Sequence, residues 1–362
     1  MIRRYRERLD REYERLKVLE TTFLGYPCDA AFDYAPLYRF LEFPINNVGD
    51  PFEPSTFRLQ TKTFEREVLG FFARLFHVRD FWGYITNGGT EGNLYGLYAA
   101  RERLPRASVF FSEHSHYSIK KNAHVLGLKT VGVKSQPSGE VDYEDFERRV
   151  KGRESAIVVA NIGTTMMGAI DRVPRLARIL RRHGVKSYIH ADAALYGMVL
   201  PFVSDIAFDF RTPIDSLAMS GHKFIGSPIP CGIVLARKKA VESLQTYIEY
   251  IDAHDSTLSG SRDAFTALVF WYRIHTIGLR GFKKQVRFSM GLADFLVREL
   301  RKIGWPDVRQ SFITVSFRRP SDPLVNKWQL ASKGDRAHVI CLPHENRAQL
   351  KKFVGELAAD RS

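Results

Sequence analysis

A chain of 362 residues with 44% apolar and 26% charged residues is long enough to bury a large core, and its length suggests roughly two domains. The net charge of +14 would suit anionic partners, but the excess is spread over helical faces such as Arg175–Arg182 and Arg298–Lys302. No zinc, RNP or helix-turn-helix signature accompanies it, which argues against nucleic acid and leaves a basic nucleic-acid-binding protein on an enzyme fold as the alternative of a different class.

Apolar runs are too short for a membrane span, and the N-terminus lacks an apolar signal region. Arginines there interleave with Glu7, Asp10, Glu12 and Glu14, a surface-helix pattern rather than a transit peptide. Cys28, Cys231 and Cys341 lie far apart with no metal spacing, so a reduced cytoplasmic protein without disulfides is expected.

Taken in order, residues 1 to about 20 read as an amphipathic helix with Tyr5, Leu9, Tyr13, Leu16 and Leu19 near one face. An irregular aromatic arm follows, Phe23 to Pro51, including Pro44-Ile45-Asn46-Asn47. A loop this rich in aromatics and amides reads as a binding element, a subunit-packing arm, or both. Helix Phe64 to Phe76 then leads into a strand end at Trp82 to Ile85 and a helix Thr90 to Leu104 with Thr90 as N-cap. Strands follow at Ser108 to Phe111, Thr130 to Val133 and Ala156 to Ala160. Next come a helix Asp171 to His183, with Pro174 in its first turn and Gly184 ending it, and strands Ser187 to His190 and Ser216 to Met219. The alternation predicts an α/β fold with a mainly parallel, doubly wound sheet. Gly232 to Ala236 follows across a proline-rich turn too short for a helical crossover, so it is expected antiparallel. From Ala264 the pattern changes to two long helices separated by Gly278, strands Ile313 to Phe317 and His338 to Leu342, and a last helix Ala348 to Leu357. The expected organisation is an arm at 1–62, a large domain at 63–263 and a small α+β domain at 264–362.

Chemistry gathers at the predicted strand ends. Ser220-Gly221-His222-Lys223 closes one strand with a lone ammonium, which a desolvated site can convert to a nucleophilic amine for a carbonyl. Thr86-Asn87-Gly88-Gly89-Thr90-Glu91-Gly92-Asn93 joins a strand to a helix N-terminus, where glycines and free N–H groups suit a phosphate. Asp192, in His190-Ala191-Asp192-Ala193-Ala194, is a carboxylate among alanines that needs a cationic partner. A protonated pyridine nitrogen would serve, with Ala194 leaving room for a flat ring. His116, in His114-Ser115-His116-Tyr117-Ser118, could stack on an aromatic ring or pass protons, and no further ligands point to a metal. Asn161-Ile162-Gly163-Thr164-Thr165 offers hydroxyls to a ring oxygen. Each segment alone could be an ordinary turn or strand end. Their order suits pyridoxal phosphate: phosphate anchor, ring sandwich, pyridinium partner and Schiff-base lysine.

These segments, with Gly25-Tyr26-Pro27, Ile45-Asn46-Asn47 and the long stretch Ser220 to Gly232, resemble the group II pyridoxal-phosphate-dependent amino-acid decarboxylases, closest to the bacterial histidine decarboxylases and related plant serine decarboxylases. The resemblance implies an aspartate-aminotransferase-like fold of type I and a homodimer with active sites at the interface. It implies Lys223 as the cofactor's lysine, Asp192 on the pyridine nitrogen, and His116 and Ala194 on the two ring faces. Gly89, Thr90, Ser220 and His222 would hold the phosphate, and Thr164 would lie near the ring hydroxyl. Substrate contacts are expected from Asn46, Asn47, Tyr250 and His254, with Tyr250 or His254 as proton donor.

The segments Ser135 to Glu140, His190 to Leu195 and Ile251 to Asp255 look more like the histidine enzymes, while Asp50-Pro51-Phe52 and Lys327 to Ala331 look more like the serine enzymes. The implied reaction is L-histidine to histamine and carbon dioxide, with L-serine to ethanolamine, or another small or aromatic L-amino acid, as the alternative. One departure stands out: after Ser259-Gly260-Ser261-Arg262 the family pattern has Asn-Gly-His, and this chain has Asp263-Ala264-Phe265.

Overall fold

The computed structural model describes residues 2–360. Helix α1 (Ile2–Glu20) opens the chain, α2 (Lys62–Leu75) leads into strand β1 (Phe81–Thr86), and α3 (Gly89–Arg103) into β2 (Ser108–Ser112). The alternation continues with α4 (Tyr117–Val125), β3 (Thr130–Val133), α5 (Tyr143–Val150), β4 (Ser155–Asn161), α6 (Val173–Arg182) and β5 (Lys186–Asp192). A short α7 (Leu200–Val203) precedes β6 (Ser216–Ser220), β7 (Gly232–Arg237) and the pair β8 (Thr246–Ile248) and β9 (Ala253–Asp255). Helix α8 (Phe265–Lys302) is interrupted at Gly278. After it come β10 (Arg309–Ser311), β11 (Thr314–Arg318), α9 (Asp322–Lys327), β12 (Ala331–Lys333), β13 (Arg336–Ile340) and α10 (Arg347–Ala359).

Contacts divide the chain into two units, Cys28–Val286 and a second one made of the chain up to Pro27 with everything from Arg287 on. In the larger unit seven strands run in the order β1-β7-β6-β5-β4-β2-β3. β2 to β6 pair in parallel, and β7 lies antiparallel between β1 and β6, as its short connection requires. Strands β4, β5 and β6 are buried along most of their length, as a parallel sheet covered on both faces demands, and β4 is a nearly continuous apolar run. Trp82, Tyr84, Tyr95, Leu97, Ile157 and Val234 belong to a core cluster on that sheet.

The smaller unit holds the antiparallel sheet β10-β11-β13-β12, with a core that includes Leu24, Leu296, Phe317, Trp328, Val339 and Phe353. The apolar stripe of α1 stays uncovered, with Leu9 70% and Tyr13 60% exposed.

Three sequence expectations shift. The third helix starts at Gly89 with Gly88 as N-cap, so Thr90 stands inside the first turn rather than capping it. Helices α4 and α5 were not anticipated, since each is shorter than the window over which an apolar period is legible. Asp142 nevertheless caps α5, accepting from the backbone N–H groups of Glu144 at 2.9 Å and Asp145 at 3.0 Å.

Candidate functional site

Parallel strands deliver their carboxyl ends to one edge of a sheet, and loops leaving that edge carry the chemistry. The register pairs Asn161 with Asp192 and Asp192 with Ala218, so β4, β5 and β6 end side by side. Asp192 is the last residue of β5, and its Oδ1 accepts the backbone N–H of Ala194 at 3.3 Å. Ser220 ends β6, and its N–H donates to the Ala194 carbonyl at 3.0 Å. Gly89 needs to be glycine here: a Cβ would stand 2.6 Å from Ser220 Oγ and 3.5 Å from Ala194 Cβ. The first turn of α3, with its outward N–H groups and positive dipole end, therefore sits directly on Ser220.

Lys223 follows three residues after β6, and its carbonyl accepts the N–H of Asp29 at 3.1 Å. Burial drives its amine below the ordinary lysine value, opposed by the attraction of Asp192. His116 is likewise pulled down by burial, opposed by Asp192 and reinforced by Lys223. Its Nδ1 accepts the Ser118 N–H at 3.3 Å, which leaves Nε2 as the ring's proton-bearing nitrogen in the neutral form. His222, lowered by burial, hydrogen-bonds the Cys231 carbonyl through Nδ1 at 3.0 Å. Thr164, 4% exposed in the loop after β4, accepts the Ala169 N–H at 3.0 Å. Contacts or direct electrostatic coupling thus join Gly89, His116, Asp192, Ala194, Ser220 and Lys223 at one edge, with Thr90 and His222 adjoining them in the chain.

Three of the four expected substrate residues, Asn46, Asn47 and His254, belong to a second cluster. Asn47 is 1% exposed and its amide is engaged, donating to Glu65 Oε2 at 2.9 Å and accepting the Thr61 N–H at 2.8 Å. Asn46 bonds Ser261 Oγ at 3.0 Å and the Arg262 N–H at 3.0 Å. His254 Nδ1 lies 2.9 Å from Glu53 Oε2, and Tyr250 is 81% exposed. This cluster centres on a buried ion pair, Arg262 with Glu65, extended by Arg262 donating to the Gly49 carbonyl at 3.0 Å.

Sequence reading passed over Asn93, which donates to Asp192 Oδ2 at 3.0 Å, and Glu65, which also accepts the N–H of Ile85 in β1 at 2.9 Å. A signal existed for the first. Asn93 follows Gly89 by one helical turn, and is a polar side chain on a face otherwise made of Gly92, Gly96 and Ala100.

A desolvated lysine amine, a carboxylate and an imidazole at the carboxyl edge of a mainly parallel sheet, beside a helix N-terminus, suit a pyridoxal-phosphate enzyme of fold type I. The chain belongs to the pyridoxal-dependent decarboxylase family, whose conserved domain matches residues 60–312. It is 43% identical to the histidine decarboxylase of Morganella morganii, over 93% of this chain and 92% of that one. With the histidine decarboxylase of Mesorhizobium japonicum it shares 41% identity over 96% of each chain. Among solved structures, the L-methionine decarboxylase of Streptomyces sp. 590 superposes with a TM-score of 0.90 at 29% identity, covering 98% of this chain and 94% of that one. The residues present fit the cofactor: Gly89 lets the first turn of α3 close onto Ser220, which sets a hydroxyl beside the N–H groups of a helix N-terminus suited to a phosphate, and the Asp192 carboxylate lies at the same edge for a ring nitrogen. The protein is a pyridoxal-phosphate-dependent carboxy-lyase.

Proposed function

We propose that this enzyme converts L-histidine to histamine and carbon dioxide. The observation that carries the reading is likeness to histidine decarboxylases along nearly the whole chain, so that it reaches the arm and the 246–262 segment as well as the cofactor edge. When bound, pyridoxal phosphate supplies an electron sink for the pair left behind as carbon dioxide departs.

The chain's own residues have distinct tasks. Lys223 holds the cofactor covalently through an amine that burial keeps available as a nucleophile. Asp192 would pair with the ring nitrogen, and His116 and Ala194 would pack against the two ring faces. Gly89, Thr90, Ser220 and His222 would hold the phosphate, and Thr164 would lie near the ring hydroxyl. The arm carrying Asn46 and Asn47 shapes the substrate end, Asn47 from within the buried network around Glu65. Tyr250, exposed in the single chain, or His254 delivers the proton that replaces the carboxylate. Both tasks place the second cluster at the active site of a homodimer in the cytoplasm, where the free thiols of Cys28, Cys231 and Cys341 remain reduced.

Incubation with each common L-amino acid, followed by quantifying carbon dioxide and the amine, tests the substrate. Histamine is expected as the dominant product. Ethanolamine or 3-methylthiopropylamine in its place would overturn the histidine assignment.

A further inference from the structure

Behind Asp192 lies a buried line of polar groups to which the reaction above gives no task. Asn93 Nδ2 donates to Asp192 Oδ2 at 3.0 Å, His190 Nε2 lies 2.9 Å from Asn93 Oδ1, and His190 Nδ1 lies 2.7 Å from Ser216 Oγ. All four side chains are buried, and His190 and Ser216 have no exposed surface at all. A carboxylate only accepts hydrogen bonds, so the amide must turn its NH2 group toward Asp192. Its oxygen then faces His190, whose Nε2 must carry the ring proton, and Nδ1 is left to accept the Ser216 hydroxyl. Each bond along the line has one direction, and the acceptor oxygen of Asp192 sets it. Burial keeps the imidazole neutral with a pKa of about 4, consistent with its single ring proton.

The backbone is shaped around the same ring. Gly96, two turns beyond Gly89 on α3, allows His190 to press against the helix, because a Cβ there would stand 2.2 Å from Nδ1. Helix α3 therefore carries both the cradle beside Ser220 and the clamp on His190, with Asn93 between them.

We propose that Asn93 and His190 are positioning residues that hold the Asp192 carboxylate turned toward the ring nitrogen of the cofactor. This rests on the reading of Asp192 as the ring-nitrogen partner. The test compares equilibrium affinities of the apoenzyme for pyridoxal phosphate and for its 1-deaza analogue, in which carbon replaces the ring nitrogen. Asn93→Leu and Asn93→Ser are expected to weaken binding of the natural cofactor about tenfold and to move the analogue less than about twofold. In an Asp192→Ala background the same changes are expected to add nothing. Equal losses for both ligands, or full additivity with Asp192→Ala, overturn the proposal, because a merely structural role weakens both alike. If Asp192→Ala keeps the wild-type preference for the natural cofactor, the reading of Asp192 falls, and this proposal with it. If that preference collapses in Asp192→Ala but persists in the Asn93 variants, this inference alone falls. His190→Gln, which retains an N–H donor for Asn93, is expected to keep most of the preference, and His190→Leu to lose it. Should the Asn93 variants fail to fold by circular dichroism, the His190 pair decides by the same ratio.

Discussion

Burial acts in one direction on the three basic side chains at the sheet edge: Lys223, His116 and His222 are all held below their ordinary values. For Lys223 this favours the free amine, and borohydride reduction of the holoenzyme should leave the cofactor's mass on the peptide containing Lys223. A Lys223→Ala chain should show no such adduct and less than about a thousandth of wild-type turnover, read by mass spectrometry and a carbon dioxide assay. His190 affects stability instead. Its folded pKa of about 4 lies below the ordinary histidine value, so the unfolded chain takes up its proton first as pH falls. The stabilisation is present above about pH 6.5 and drains away between there and pH 4, to a total on the order of 3 kcal/mol. Urea midpoints measured across that range should fall less steeply in His190→Gln than in the wild type.

Elements explain the departure at Asp263-Ala264-Phe265. Asp263 Oδ1 accepts the N–H groups of Phe265 at 2.8 Å and Thr266 at 3.4 Å, capping α8, a task asparagine performs equally well. Asp263→Ala should therefore cost about 1 kcal/mol in chemical denaturation, and Asp263→Asn almost nothing. Phe265 is 5% exposed in an apolar cluster with Tyr34, Leu37, Leu268 and Val269, where a histidine would need a polar partner. One turn earlier, the Arg262–Glu65 pair ties the start of α8 to α2 and the arm, with side chains 3% and 0% exposed. Breaking it with Glu65→Gln strands a buried guanidinium charge, an expected loss of about 3–5 kcal/mol that thermal or urea unfolding would show. Replacing both partners by apolar residues should cost much less.

At the scale of the whole molecule, cofactor and partner bear on stability together. Pyridoxal phosphate at a hundred times its dissociation constant should stabilise the folded chain by about 2.7 kcal/mol, seen as a rise in unfolding temperature that Lys223→Ala diminishes. The proposed homodimer gives the uncovered stripe of α1 an occupant, since Tyr5, Leu9, Tyr13 and Leu16 are each more than half exposed in the single chain. Leu9→Glu with Leu16→Glu is expected to shift sedimentation toward the monomer by at least about tenfold in dissociation constant, each leucine being worth about 1.5–3 kcal/mol when buried. A wild-type enzyme that is fully active as a monomer would contradict the shared site.

The sequence by itself determined most of the alternation of strands and helices, the antiparallel β7, the break at Gly278 and the polar segments at the carboxyl ends of the strands. It could do so because apolar period, glycine and proline punctuation and strand-end chemistry are local properties. Only the tertiary structure decided which polar side chains serve which neighbours. Asn93 and Asp192 stand 99 positions apart, as do Asn47 and Glu65 by 18 and Arg262 and Glu65 by 197, and no local pattern links such pairs. Thr90 lost the cap to Gly88 for a similar reason: the helix had to begin where Gly89 meets Ser220 of a different strand, and packing, not propensity, set that point.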